Sequence, residues 1–260
     1  GNYMSTDITN VEATNVNSLV AFNKNGFYLG NMNEVNTINE RYVAWLWKLG
    51  GGQTSWNFDG NLTRTVTLTI ANPCVLTISS HGLSNGQAVK LTNSGGALPA
   101  NLVSGTTYYV VNSGTHTFEL ASSVGGASIS TLSQSQSGTH SCEQGSLISA
   151  NALSGVSLIK FTGIGAGGDV GHGLGATPEF LVFKSTNNTG TTSWNVWNKN
   201  LSSSTHYLSL DGSAAESSAA SNFSGTWNTT VFGLTSTPLA TGAQVIALAF
   251  RSVTGFSKIG

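Results

Sequence analysis

The side chains able to do chemistry in this chain are five histidines, eleven carboxylates, two cysteines and six tryptophans. Their spacing decides what they could do. His81, His116, His140, His172 and His206 show no metal-ligand spacing and no partner cysteine or carboxylate motif. His81 and His172 both precede Gly-Leu at a turn, where an imidazole commonly satisfies backbone groups. Asp169 beside His172 is the one local acid–histidine pairing, yet no G-x-S-x-G elbow supplies a nucleophile. The carboxylates stand singly, so none marks a glycosidase pair, and no Asp-rich calcium loop is visible. Gly163-Ile-Gly-Ala-Gly-Gly168 fits G-x-G-x-x-G after an expected strand. The Asp169-Val-Gly-His-Gly-Leu-Gly that follows is too rich in glycine for the helix a dinucleotide site requires. The chain is therefore expected to have no catalytic residues, to bind no metal or organic cofactor, and not to be an enzyme.

Binding is a separate question, and the aromatic residues pose it. Flat rings stack on pyranose faces while Asn and Ser rims bind hydroxyls, which makes Trp194, Trp197, Tyr207 and Trp227 candidate receptor or glycan contacts. Their alternative is ordinary core or interface packing, where a tryptophan buries a large apolar area. Trp45 and Trp47 lie in Tyr42–Leu49, which is apolar on both faces, and are candidate subunit contacts. Cys74 and Cys142 lie near the two ends of one segment. A disulfide requires its first and last strands to pair; two plain buried thiols are the alternative.

Composition narrows the partners. Charged residues are only 8% of the chain and the net charge is −1. No stripe of Lys and Arg is present to neutralise phosphates, which argues against nucleic acid. No apolar run approaches the roughly 20 residues of a membrane span, so no membrane insertion is expected. Gly1-Asn-Tyr-Met lacks the basic start and apolar core of a secretory signal. Solubility must come from Ser, Thr, Asn and the 32 glycines.

The elements that must position these residues read as strands. Between Val66 and Cys142, Val75–Ile78 and Ala88–Leu91 alternate, with Val89 and Leu91 on one face. Tyr108 and Val110 share a face, and Phe118 and Leu120 close the set. Asn-Gly, Gly-Gly and Ser-Gly breaks separate them, as in an antiparallel β module. Tyr42–Leu49 reads as a strand from its aromatic and β-branched residues and its Gly50–Gly52 stop. The C-terminal region repeats the N-terminal plan. Phe232 and Leu234 correspond to Phe27 and Leu29, and Ile246-Ala-Leu-Ala-Phe-Arg to Val43-Ala-Trp-Leu-Trp-Lys. The expectation is an all-β fold with two related, jelly-roll-like β-sandwich modules separated by a small antiparallel β module. Residues 1–64 are the C-terminal part of a first, N-terminally incomplete module, 65–147 the small module, and 148–260 a complete second module.

Two resemblances accompany this reading. The ordered elements His81–Leu91, Gly95–Pro99, Gly105–Val110 and Thr117–Leu120 resemble the small β module of phage tail and fibre proteins labelled "ubiquitin-activating enzyme FCCH-like". That label carries no chemistry here, because no nucleophilic cysteine motif or nucleotide loop accompanies it. Leu158–Gly163, His172–Lys184, Trp194–Trp197, Tyr207–Leu210 and Val245–Phe250 resemble a module common in marine phage structural proteins. The resemblance implies a non-enzymatic virion protein, a tail-fibre or receptor-binding distal part that contacts a host surface glycan or protein. It also implies a homo-oligomer, with a trimer favoured, alongside other virion proteins. Such a protein is assembled in the host cytoplasm and exposed outside the cell. The alternatives are a capsid-decorating or head-fibre protein and a subunit of a β-rich extracellular filament.

Overall fold

The computed structural model describes residues 2–6, 8–44, 46, 47, 49, 53–217 and 222–260, and it is all-β apart from one short helix. At the N-terminus, β1 (Asn2–Tyr3) pairs with β2 (Ala13–Thr14), and β3 (Leu19–Asn23) forms a hairpin with β4 (Gly26–Leu29). A single helical turn, α1 (Asn33–Asn36), follows. Tyr42–Leu49 is not a strand at any described residue. This corrects the sequence reading: among the described residues no strand pairs with this stretch. Its C-terminal counterpart is the central strand of a sheet, held between two neighbours, and a strand without ladder partners leaves its backbone unpaired.

The chain then contributes β5 (Ser55–Asn57) to a large sheet described below, so residues near 55–62 belong with the C-terminal sandwich; before them the described residues form two two-stranded sheets and no sandwich, which corrects the expected first sandwich module. Leu62 lies in that sandwich's core. Next come β6 (Thr63–Leu68), β7 (Leu76–Thr77), β8 (Ala88–Ser94), β9 (Thr107–Val111), β10 (Thr117–Ala121) and β11 (Thr139–Gln144). They close into an antiparallel barrel in the order β10-β7-β6-β11-β8-β9. The alternation explains its filling, since Val66, Leu76, Val89, Leu91, Val110, Phe118 and Leu120 all face one interior. Closure leaves no free sheet edge. The first and last strands do pair, Glu143 with Thr63 and Cys142 with Arg64. The two cysteines nevertheless remain free, buried thiols. Burial pushes Cys142 up to about 12, which keeps it protonated and unreactive.

The rest is a β-sandwich. β12 (Ser146–Asn151), β13 (Val156–Thr162), β14 (Gly168–Gly171), β15 (Phe180–Ser185), β16 (Asn195–Asn198), β17 (Leu208–Ser209), β18 (Phe223–Trp227), β19 (Val231–Leu234) and β20 (Gln244–Phe250) follow in turn. Seven strands form one sheet, β17-β16-β15-β20-β13-β12-β5, faced by the three-stranded sheet β14-β19-β18. The central strand β20 presents small residues inward, Val245, Ala247 and Ala249. These leave room for Phe161, Phe183, Phe223 and Phe232 in the same core.

The outer face of the large sheet carries Ile246 and Leu248, and the N-terminal residues cover part of it. Met4 packs there beside the buried Trp194. The Trp194 indole Nε1 donates to the Ser5 carbonyl at 2.7 Å, and Lys184 Nζ donates to the Ile8 carbonyl at 2.9 Å. Lys184 is fully buried, and desolvation lowers its pKa. Its charge is tolerated because a carbonyl and the Trp194 ring, 5.6 Å away, both receive it.

The repeat seen in sequence is visible in one hairpin. Asn23 Oδ1 accepts from the Asn25 N–H at 2.9 Å, and Asn228 Oδ1 accepts from the Thr230 N–H at 2.8 Å. Phe22 lies opposite Phe27 as Trp227 lies opposite Phe232. The surroundings differ. Phe232 and Leu234 are fully buried, with β14 paired along β19, whereas their counterparts Phe27 and Leu29 are half-buried and exposed, and Phe22, the counterpart of the half-buried Trp227, is 70% exposed.

Candidate functional site

The two His-Gly-Leu turns share one geometry. His81 Nδ1 accepts from the Leu83 N–H at 2.9 Å, and its Nε2 faces the Thr117 carbonyl at 3.3 Å. His172 Nδ1 accepts from the Leu174 N–H at 3.1 Å, and its Nε2 faces the Asn228 carbonyl at 3.3 Å. These partners assign both rings as neutral imidazoles protonated on Nε2. Both are fully buried, and desolvation lowers the pKa of each. With both nitrogens occupied, neither ring is free to act as a base, and Asp169 bonds to Asn61 rather than to His172. The glycine run after β13 is a loop folded against residues 239–241. A Cβ at Gly163 would lie 2.1 Å from the Ala240 carbonyl oxygen, and no helix follows.

One acid–histidine–serine cluster escaped the sequence reading. Ser202 Oγ lies 2.6 Å from Glu216 Oε1 and 2.9 Å from His206 Nδ1. His206 Nδ1 and Glu216 Oε1 are 2.5 Å apart. Hydrogen bonds from Ser202 and then His206 lower the Glu216 pKa. A catalytic triad places the serine on one ring nitrogen and the acid on the other. Here both meet Nδ1 and the serine donates to the carboxylate, so the cluster ties a loop together. Among the described residues, no three His, Cys, Asp or Glu side chains gather to hold a metal ion.

The four candidate glycan contacts are turned inward, a correction to their reading as a platform. Trp194 and Trp197 are buried. Trp197 stacks on Trp227 with ring centroids 3.6 Å apart, which occupies the face each would offer a sugar. Tyr207 and Trp227 are half-buried against the same core. Of the candidate subunit contacts, Trp45 lies outside the described residues. Trp47 rests edge-on against Phe250 of its own chain, at 5.5 Å between centroids, and stays half exposed.

What the fold does assemble is a cleft of about 230 Å³ where the barrel meets the large sheet. Its sheet side is a row made by register. Trp56 of β5 lies opposite Leu147 of β12, which lies opposite Lys160 of β13. Its barrel side is the turn Ser84–Gln87 that follows His81-Gly82-Leu83. A hydrogen-bonded chain joins the two: Gln244 Nε2 donates to the Gly82 carbonyl at 2.7 Å and to Thr162 Oγ1 at 3.3 Å. Thr162 Oγ1 in turn donates to Gln87 Oε1 at 3.4 Å. Nothing in sequence spacing could have found this site, because it is built from five segments distant in the chain.

A family model described as "Domain of unknown function (DUF7483)" matches residues 1–99 and 128–260. The chain belongs to this family. The unmatched residues, 100–127, hold β9 and β10 of the barrel. Searches of curated proteins and of solved structures returned no match.

Proposed function

We propose that this DUF7483 chain is a structural protein of a phage virion, the receptor-binding distal part of a tail fibre, and that it acts without catalysis. It would work as a homo-oligomer, a trimer for preference, beside other virion proteins, exposed to the host surface and assembled in the host cytoplasm. The observation that carries this reading is the open hairpin β3–β4. It repeats the turn of β18–β19, yet Phe22, Tyr28 and Leu29 stand in solvent where the second copy is covered. Val43 and Trp47 are exposed as well. An exposed apolar hairpin of this kind offers a surface to a neighbouring copy, and the sparse charge suits contact between like chains. The sequence resemblance of the barrel to phage fibre modules points the same way.

Antibody-labelled negative-stain images of the particle test the placement. Label at the tail tip supports it, and label on the head shell would move the protein to a capsid-decorating role. Light scattering tests the assembly, where a stable monomer at dilute concentration would refute it.

A further inference from the structure

We infer that the cleft between barrel and sandwich binds a carboxylated monosaccharide unit. The inference names the ligand class for the attachment reading above and takes its biological meaning from it, but the chemistry of the cleft stands by itself. Trp56, Leu147 and Lys160 lie side by side on one face of three adjacent strands. Neighbouring strands are spaced by about 4.8 Å, so Trp56 and Lys160 stand about 10 Å apart with an apolar floor between them. That span suits one pyranose ring and its substituent. The half-buried Trp56 offers an apolar ring for the C–H face of the sugar. Lys160 is exposed and takes part in no salt bridge among the described residues. No carboxylate lines the cleft, so its one charge is positive and unopposed.

The opposite wall supplies the polar contacts. Gln87 is only 7% exposed, and its Oε1 is engaged by Ser84 and Thr162. Gln87 lines the cleft, and these bonds to Oε1 leave its Nε2 uncommitted as a donor. Gln244 is held the other way round. Its Nε2 is engaged by Gly82 and Thr162, which leaves Oε1 as a fixed acceptor. One donor, one acceptor, one aromatic ring and one cation around an apolar floor match a polyhydroxylated ring bearing an acid. A purely apolar ligand would strand both amides, and a neutral sugar would leave Lys160 unused. Because both glutamines are already oriented by Thr162, binding needs little reordering.

The test uses the full chain with glucuronic acid and glucose as matched probes, which differ in the acid group, followed by saturation-transfer NMR and titration. Glucuronate should bind with Kd of about 1 mM, roughly tenfold tighter than glucose. Lys160→Gln should reduce glucuronate to the level of glucose, and Trp56→Ala should abolish both, with unchanged circular dichroism. Lys160→Gln alters an exposed side chain, so it remains informative if Trp56→Ala fails to fold. No binding of glucuronate, or binding that Lys160→Gln leaves unchanged, overturns the inference. A chain that binds glucuronate but is absent from the particle would overturn the attachment reading and leave the cleft assignment intact.

Discussion

Trp197 and Trp227 lie face to face, 3.6 Å between ring centroids and 14° from parallel. One comes from the large sheet and the other from the small one, so this stack fastens the two layers of the sandwich. Phe223 and Phe232 extend the aromatic group on the small sheet. Trp197→Ala should lower stability by about 3–5 kcal/mol, the range for truncating a buried aromatic. Trp197→Phe should be far milder, because the buried Trp197 Nε1 has no hydrogen-bond partner to lose. Denaturant titration of the two variants checks the ordering.

Acid should weaken the fold through His81 and His172. Burial holds each below its ordinary pKa of 6.5. As pH falls through 6.5, the unfolded chain takes up protons before the folded one does. The stability these rings contribute is therefore complete above that pH and declines below it, until the lower folded-state values are reached. Thermal melts across this range should show the decline, and a variant with both histidines replaced by Gln should show a shallower one.

Lys184 should control the N-terminal strap. Lys184→Met removes the donor to the Ile8 carbonyl and should cost about 1–2 kcal/mol. Its clearer signature is local. Limited proteolysis should cut near Ile8 faster than in the parent, while the barrel core keeps its hydrogen-exchange protection.

Gly82 should matter more than a turn glycine usually does. Its φ of +66° is strained for any side chain, and a Cβ there would lie 2.6 Å from the Gly242 Cα. Gly82→Ala should therefore loosen the barrel from the sandwich, with a loss of about 1–3 kcal/mol. NMR shifts at Gln244 and Thr162 should report the change, and an unperturbed Gln244 would count against the docking role.

Strand-forming segments were legible where both faces of the alternation have a partner in this chain. Ala88–Leu91, Tyr108–Val111 and Thr117–Leu120 all became barrel strands, because period-two patterning and turn chemistry are local properties. Tyr42–Leu49 has the composition of a strand but pairs with none among the described residues, and composition does not report neighbours. The tryptophans misled for a related reason. A tryptophan suited to stack on a sugar is equally suited to stack on Trp227, and only the packing of two sheets decides which. Trp56, Leu147 and Lys160 carried no signal at all, since their adjacency arises from the register of three strands. The His-Gly-Leu turns were the most legible feature of the site, because their geometry depends on residues within the turn and one carbonyl opposite.

The placement of β5 beside β12 has a mechanical consequence. The chain leaves the large sheet after Asn57 to build the barrel and rejoins it at Ser146, directly opposite Asn57 in the ladder. Tension along the chain therefore crosses from β5 to β12 without passing through the barrel, which is wired in parallel with the load and not in series. If the ladder gave way, force would reach β6 and β11 at their paired ends, Thr63 and Glu143. That geometry opens hydrogen bonds one at a time, like a zipper. A single-molecule pulling trace should accordingly show the barrel extending only after the β5–β12 contact breaks, and then at low force. The barrel thus stays folded while the β5–β12 ladder bears the load.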